Sequence, residues 1–329
     1  MAHELLGIRF NRIDLSKSPT APPDLKEVLL DERQDLFYRK NCMANFGELG
    51  VAVKQHVNEY QEKTKASSSL TNLEALKDFV EKLPESRRLS SSVFKHVGVI
   101  SELSRIVRER NLLVLSELEQ SLACSSSSSS KQQQQHFTAV CSQIQNKQNT
   151  NLDKLRLALL YCIRYEGSET VAAVREELAA AGLPGDSLLL LLLLLQYSSK
   201  SSRSEDLFRD KSLLQVAKNL AKGLQGVANV YTQHKSLLSS VVESLIKGKL
   251  KESTYAVLGP NKNPTAAAAP REGLQTVLVF VIGGATYQEE REMQELSSSA
   301  GVSVLLGGSS VVNAKQFLAD VAQVQLPNV

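Results

Sequence analysis

Tryptophan is absent from the 329 residues and aromatic side chains make up 5% of them, so the interior must pack on Leu, Val and Ala, as helical assemblies do. Cysteine is sparse. Cys42, Cys124, Cys141 and Cys162 lie far apart, with no C-x-x-C or Cys/His spacing, which speaks against a metal site. Scattered free thiols fit a reducing compartment, so the expectation is a cytoplasmic protein. Neither end carries an apolar signal core or an anchor pattern. No apolar run approaches the roughly 20 residues that span a bilayer. The unbroken leucines from Leu188 to Leu195 fall far short and read as a buried helix. Charge of one sign is lacking too: 38 basic residues face 35 acidic ones, for a net +3. That balance is too even to point to nucleic acid or to an anionic membrane as partner.

The patterns of catalysis are equally missing. The sequence holds no G-x-S-x-G elbow, no H-E-x-x-H pair, no G-x-x-x-x-G-K-[ST] loop and no G-x-G-x-x-G fingerprint. His3, His56, His96, His136 and His234 are dispersed, and each reads as a surface or hydrogen-bonded residue. Asp14, Asp153 and Asp320 have no carboxylate neighbour in sequence, so acid–base chemistry has no support. The expectation is a non-enzyme without catalytic residues, cofactor or metal. One turn keeps a rival open. Gly283-Gly284-Ala285-Thr286 follows a strand-like run, and a helix N-terminus attracts phosphate, so a relic α/β enzyme binding a nucleotide there is the alternative. Two glycines also suffice for a tight strand-to-helix turn.

What is present is an ordinary globular composition, 42% hydrophobic and 22% charged, with room for two or three domains. Asn11 to Leu15 is strand-like, and Pro19, Pro22 and Pro23 mark a linker. From Leu25 to about Lys63 the apolar spacing reads as helical, with Gly47 and Gly50 weakening one unbroken helix. A second stripe from Leu73 meets Pro84, which predicts an end or kink at Leu83-Pro84. Val93, Val97, Ile100, Leu103 and Val107 then form a longer stripe, with a break near Asn111. Ser125 to Ser130 and Gln132 to Gln135 form a low-complexity tract with nothing to bury, expected to be a disordered loop. Helices follow through Ile163, Leu178, the leucine run, Leu213 to Leu220 and Leu237 to Lys247.

Beyond Leu258 the pattern changes. Thr276 to Ile282 and Val302 to Leu306 read as strands buried on both faces. Thr286-x-x-Glu289 has the capping-box form, and Asn313 can cap a last helix. Strand–helix–strand–helix demands a parallel pair with a right-handed crossover. The fold class is therefore α+β: a mainly helical domain followed by a C-terminal α/β half-domain with a parallel strand pair. Two basic groups remain, Arg105 to Arg110 and Arg87-Arg88. Each is either a solvated helix face or a docking surface for a partner helix.

Several segments resemble the SM (Sec/Munc-like) family of syntaxin-binding proteins. They are Phe280-Val281-Ile282-Gly283-Gly284-Ala285-Thr286-Tyr287, Asn229-Val230-Tyr231-Thr232-Gln233-His234, and Leu245 to Glu252. His3 to Ile8, Asn11 to Leu15, Ser101 to Arg105, Glu109 to Leu113 and Glu117 to Cys124 look like the endosomal branch of that family. The resemblance implies a remnant of a split α/β domain two and a linker over 1–24, and helical domain 3a over 25–124. A low-complexity loop over 125–136, helical domain 3b with a return segment over 137–258, and the C-terminal half of domain two over 273–329 follow. An α/β first domain and the first half of the second are expected to precede such a chain. The poly-Ser, poly-Gln and poly-Leu tracts depart from the family.

In function, the resemblance implies a non-catalytic scaffold for vesicle docking and fusion in endosomal, trans-Golgi and vacuolar transport. Its partners would be syntaxin-type and vesicle SNAREs. The chain would be a monomer, held peripherally on Golgi and endosomal membranes through those SNAREs. The tip of domain three is thought to receive the vesicle SNARE. Pro84 matches its bend, and Arg87, Arg88, Val93, Phe94, Lys95 and His96 would line the surface.

Overall fold

The structure, a computed structural model, describes residues 2–6, 12–16, 26–67, 73–125, 129–203, 208, 231, 233–251, 253–256, 258 and 274–324. In helical residues 2–3, 65–67 and 73–87 only the backbone is described. The helix expected over Leu213 to Leu220 lies outside these residues. The chain divides into two units, Met1–Leu112 and Leu113–Val329.

In the first unit, β1 (Arg12–Asp14) pairs antiparallel with β2 (Glu27–Leu29), placing Ile13 opposite Val28. Period-two alternation sends both inward, while Arg12 and Glu27 form an exposed ion pair at 2.9 Å on the other face. Ile13, Leu15, Val28 and Leu30 pack on Val99 and Leu103, with Leu5 and Leu6 of α1 (Ala2–Leu6) at the margin. The helical reading from Leu25 therefore fails at its start, because Val28 is stabilised as a strand residue by Ile13. Helix begins only with α2 (Leu36–Asn41) and α3 (Phe46–Ser67). Asn45 and Glu48 cap α3 reciprocally, at 2.8 and 2.9 Å.

The next helix corrects the reading of Pro84. α4 runs unbroken from Leu73 to Glu109, through the proline. Proline lacks the amide of one helical bond and costs about 3 kcal/mol inside a helix. Downstream, α4 buries Val93, Val99, Leu103 and Val107, at about 1.5–3 kcal/mol for each fully buried aliphatic side chain, which outweighs it. The end comes where the sequence placed a break. Asn111 adopts φ 51° between α4 and α5 (Leu112–Cys124), a left-handed conformation Asn tolerates better than most residues.

The second unit opens with α5. The glutamine run is not a loop: α6 (Ser130–Gln145) starts under the Ser129 cap and carries Gln132 to Gln135. The apolar stripe that anchors it begins just after the run, with buried His136, Val140 and Ile144. Gln133 itself bonds Thr170 at 3.0 Å. Thr150 caps α7 (Asn151–Arg164), whose Leu157, Ala158, Tyr161 and Cys162 are fully enclosed. α8 (Thr170–Ala180) stops at Gly182 (φ 79°) and Pro184, the order expected from sequence. The leucine run forms most of α9 (Gly185–Tyr197) but is buried on one side only: Leu191, Leu193 and Leu194 are enclosed, while Leu189 and Leu192 are 47% exposed. Eight consecutive leucines must point all round a helix, whereas a two-layer packing encloses one stripe. Among the described residues no helix is long and apolar enough to cross a membrane.

After α10 (Leu237–Ile246), β3 (Thr276–Val281) and β4 (Ser303–Gly308) pair in parallel, from Thr276↔Ser303 to Val281↔Gly308. α11 (Tyr287–Ala300) crosses between them, and α12 (Ala314–Ala322) starts under Asn313. Val277, Val304, Val302 and Met293 form this core with Val242 of α10. The pairing is as the sequence predicts, but cover on both faces is not found among the described residues. Leu278, Phe280 and Leu305, on the face away from α11, are 75%, 63% and 54% exposed.

Candidate functional site

The sequence singles out α4 from Pro84 to His96 as a working surface. Helical geometry decides how those residues divide, since neighbours in sequence point about 100° apart. Val93 is 4% exposed and His96 5%, both turned into the unit's own packing. Phe94, turned about 100° from Val93 and about 160° from His96 around the helix, is 50% exposed and meets the edge of the Tyr60 ring on α3, centroids 6.4 Å apart. Arg88 is exposed, as is Ser91 one turn from Phe94. The side chains of Pro84 and Arg87 lie outside the described residues. The structure thus leaves Arg88 and Phe94 on the surface, buries Val93 and His96, and holds a partly exposed Lys95 against Asp35.

What holds Lys95 and His96 is Asp35, which the sequence reading missed. His96 Nε2 donates to both carboxylate oxygens, at 2.9 and 3.1 Å, and Lys95 Nζ forms an ion pair with the same group. Since a carboxylate only accepts, Nε2 must be the protonated ring nitrogen. Asp35 also caps α2, accepting from the Tyr38 amide at 2.9 Å. Burial by itself would raise the Asp35 carboxyl. The bonds from His96, Lys95 and Tyr38 outweigh it and hold the group well below the usual carboxylate range. Phe37 stacks on His56 at 4.6 Å and lies 4.4 Å from the His96 ring, while His56 Nε2 sits 3.1 Å from Ser92 Oγ. A signal for Asp35 was available: an Asp directly before an apolar helical start is an N-cap signature. Its long-range partners, some 60 residues away, left no local mark.

The second basic group has local partners. Arg105 binds Glu102 at 2.6 and 2.9 Å and pairs with Glu109, which favours its role as a solvated, self-satisfied face. Nor does a nucleophile emerge among the described residues. Burial pushes the Cys162 thiol up to about 12, so it stays protonated at neutral pH. Among the described residues no group of His, Cys, Asp or Glu could hold a metal ion.

Two histidines give a pH dependence that can be read directly. Burial, and then the charge of His96, lowers His56, while burial and then Arg164 lower His136. A His lowered in the folded state takes up protons more readily when unfolded, so its contribution is complete above the ordinary value of 6.5 and is lost as pH falls through the folded value. Urea midpoints should therefore be lower at pH 5.5 than at 7.5, with the difference shrinking in the His56→Gln, His136→Gln double variant. Equal wild-type midpoints at the two pH values would count against this.

The turn at Gly283-Gly284 is closed by its own residues. Glu289 accepts from the Thr286 amide and hydroxyl, both at 2.9 Å, while Thr286 Oγ1 accepts from the Glu289 amide. A side chain on Gly284 would meet Val312 at 2.7 Å, so the glycine is there for close packing of the turn.

Comparison with known proteins places this architecture. The Sec1 family profile matches residues 1–320. The chain is 41% identical over 328 residues to vacuolar protein sorting-associated protein 45 of Rattus norvegicus, covering 98% of this chain and 55% of the relative. It is 38% identical to the protein of that name from Dictyostelium discoideum, over 100% of this chain and 56% of the relative. A solved structure of the SM protein Vps45 in complex with the Qa SNARE Tlg2 superimposes with TM-score 0.81 at 39% identity, covering 98% of this chain and 54% of that one. The Unc18–syntaxin 1 complex from Monosiga brevicollis, at 16% identity, TM-score 0.72 and coverages of 98% and 56%, shares the fold. The chain spans about half the length of the relatives it matches.

Proposed function

Because this chain belongs to the Sec1 family, we propose that it is part of a SNARE-binding, non-catalytic regulator of vesicle docking and fusion. Its setting in this reading is endosomal and trans-Golgi transport, including vacuolar sorting. It acts as a monomeric cytoplasmic scaffold, held at those membranes through syntaxin-type and vesicle SNAREs. The observation that carries the reading is the likeness, over nearly the whole chain, to a Vps45 structure solved with a Qa SNARE.

The segment proposed to receive the vesicle SNARE is α4 from Pro84 through Phe94. SNARE motifs are long amphipathic helices, often acidic. Exposed Phe94 offers such a helix an apolar anchor, and Arg87 and Arg88 supply basic charge before it. Apolar burial gives the affinity; the arginines steer the approach and so make association salt-dependent. In interferometry with immobilised cytosolic SNARE domains, the chain is expected to bind an endosomal vesicle SNARE saturably. Raising salt should lower the association rate more than it raises dissociation. Absence of saturable binding to any syntaxin-type or vesicle SNARE would reject the proposal.

The nucleotide alternative loses ground to Glu289. Its carboxylate sits on the N-cap of α11, where a phosphate would have to sit, and like charges repel there. Calorimetry with ATP and GTP discriminates the two readings: a saturable heat would restore the rival.

A further inference from the structure

Arg87-Arg88 is the only adjacent arginine pair in the chain, and it is followed by Leu89-Ser90. Two arginines placed three and two residues before a serine suit the acidic substrate grooves of basophilic Ser/Thr kinases, where guanidinium groups bind carboxylates in a forked geometry. The structure distinguishes Ser90 from the serines beside it. Ser92 Oγ is turned inward to His56, at 3.1 Å. Ser91 is exposed but has the pair one position too far away. Ser90 is partly exposed, follows exposed Arg88, and lies one helical turn before Phe94.

A kinase takes its substrate extended, so α4 must open locally around the acceptor. Its composition lowers the cost of that opening. Between residues 84 and 92 the helix contains Pro84, Ser86, Ser90, Ser91 and Ser92. Proline removes a helical bond, and serine competes for backbone partners, so this is the weakest helix-forming part of α4.

We propose that Ser90 is a phosphoacceptor for a basophilic Ser/Thr kinase, and that its phosphate weakens docking of an acidic helix on the surface around Arg88 and Phe94. The second half rests on the SNARE-binding reading. The Ser90 hydroxyl oxygen attacks the γ-phosphorus of magnesium-bound ATP. The bond from that phosphorus to the bridging oxygen breaks, the hydroxyl proton passes to the kinase's aspartate, and ADP leaves. The phosphate adds a charge of about −1.5 to −2, which offsets the two arginines and removes the attractive local field that an acidic partner meets.

The test treats the full chain with the catalytic subunit of cAMP-dependent protein kinase and magnesium ATP, mapping phosphate by tandem mass spectrometry. One phosphate at Ser90 is expected, absent in Ser90→Ala and incorporated at least about tenfold more slowly in Arg88→Ala. Association with the vesicle SNARE should slow about tenfold after treatment of the wild type and stay unchanged after treatment of Ser90→Ala. Labelling of Ser90→Ala at the wild-type rate, or phosphate mapped to another residue, would overturn the acceptor assignment. Full labelling at Ser90 with unaltered association would overturn the regulatory half. Loss of SNARE binding in both treated and untreated protein would reject the SNARE-binding reading instead, while the mapped phosphate still decides the acceptor.

Discussion

Asp35→Ala is expected to destabilise the Met1–Leu112 unit by about 3 kcal/mol, more than any surface change on α4. Asp35 is 8% exposed and serves two structures at once, the cap of α2 and the acceptor for Lys95 and His96. Loss of a cap costs about 1 kcal/mol, and removing one partner of a buried charged pair costs about 3–5. The sum is discounted because the Lys95 side chain, 20% exposed, can turn to water, whereas His96 at 6% cannot. With m-values of about 1–3 kcal/mol/M, the urea midpoint of this unit should fall by about 1–3 M. Amide exchange in α2 and α4 should rise while exchange in α7 stays constant. Asp35→Asn, which keeps a capping oxygen, should recover part of the loss. The pH profile carries a second signature. Because the Asp35 carboxyl is held low, its contribution is complete above its ordinary value of 3.8 and is lost as pH falls below it toward the folded value. Asp35→Ala should therefore flatten the acid limb of the stability curve. An unchanged midpoint with an unchanged acid limb would show that α4 is held without this contact.

Elements whose apolar period matched their local structure could be read without coordinates. The β3–α11–β4 unit is the clearest: a β-branched run, a Gly-Gly turn and a capping box all agree, and each is local. The break at Asn111 and the stop after α8 are legible for the same reason, since one residue conformation or a Gly–Pro order marks each. Readings failed where a distant partner decides. Val28 is a strand residue only because Ile13 lies opposite, and Gln132 to Gln135 are helical because the stripe of His136, Val140 and Ile144 holds the turn after them. Pro84 shows the same in reverse. Its local preference to end a helix is real, but burial further along the same helix, from Val93 to Val107, outweighs it. At the candidate site the sequence pointed to one stretch of α4 and mixed its faces. A run of Val93, Phe94, Lys95 and His96 covers nearly the whole circumference, so contiguity in sequence could not say which member looks outward.

That division of faces makes neighbouring substitutions do opposite things. Phe94→Ala is expected to weaken binding of the vesicle SNARE by about 2 kcal/mol, close to thirtyfold in Kd, while leaving the urea midpoint nearly unchanged. Half of the Phe94 surface is open, and its ring packs edge-on against Tyr60, so truncation leaves little unfilled space inside the unit. A large apolar ring in that position is the kind of anchor that dominates a helix interface once the partner excludes water from it. Val93→Ala should do the reverse. At 4% exposure the valine fills the space between α4 and its neighbours, and its loss should cost about 2 kcal/mol of stability with little effect on the dissociation rate of the SNARE. Arg88→Glu separates a third contribution: association should slow and become less dependent on salt, with dissociation almost constant. Interferometry and urea denaturation on the three variants give six readings, and the proposed surface requires that binding follow Phe94 and stability follow Val93. Equal SNARE affinity for wild type and Phe94→Ala, at equal stability, would move the docking surface off this face of α4.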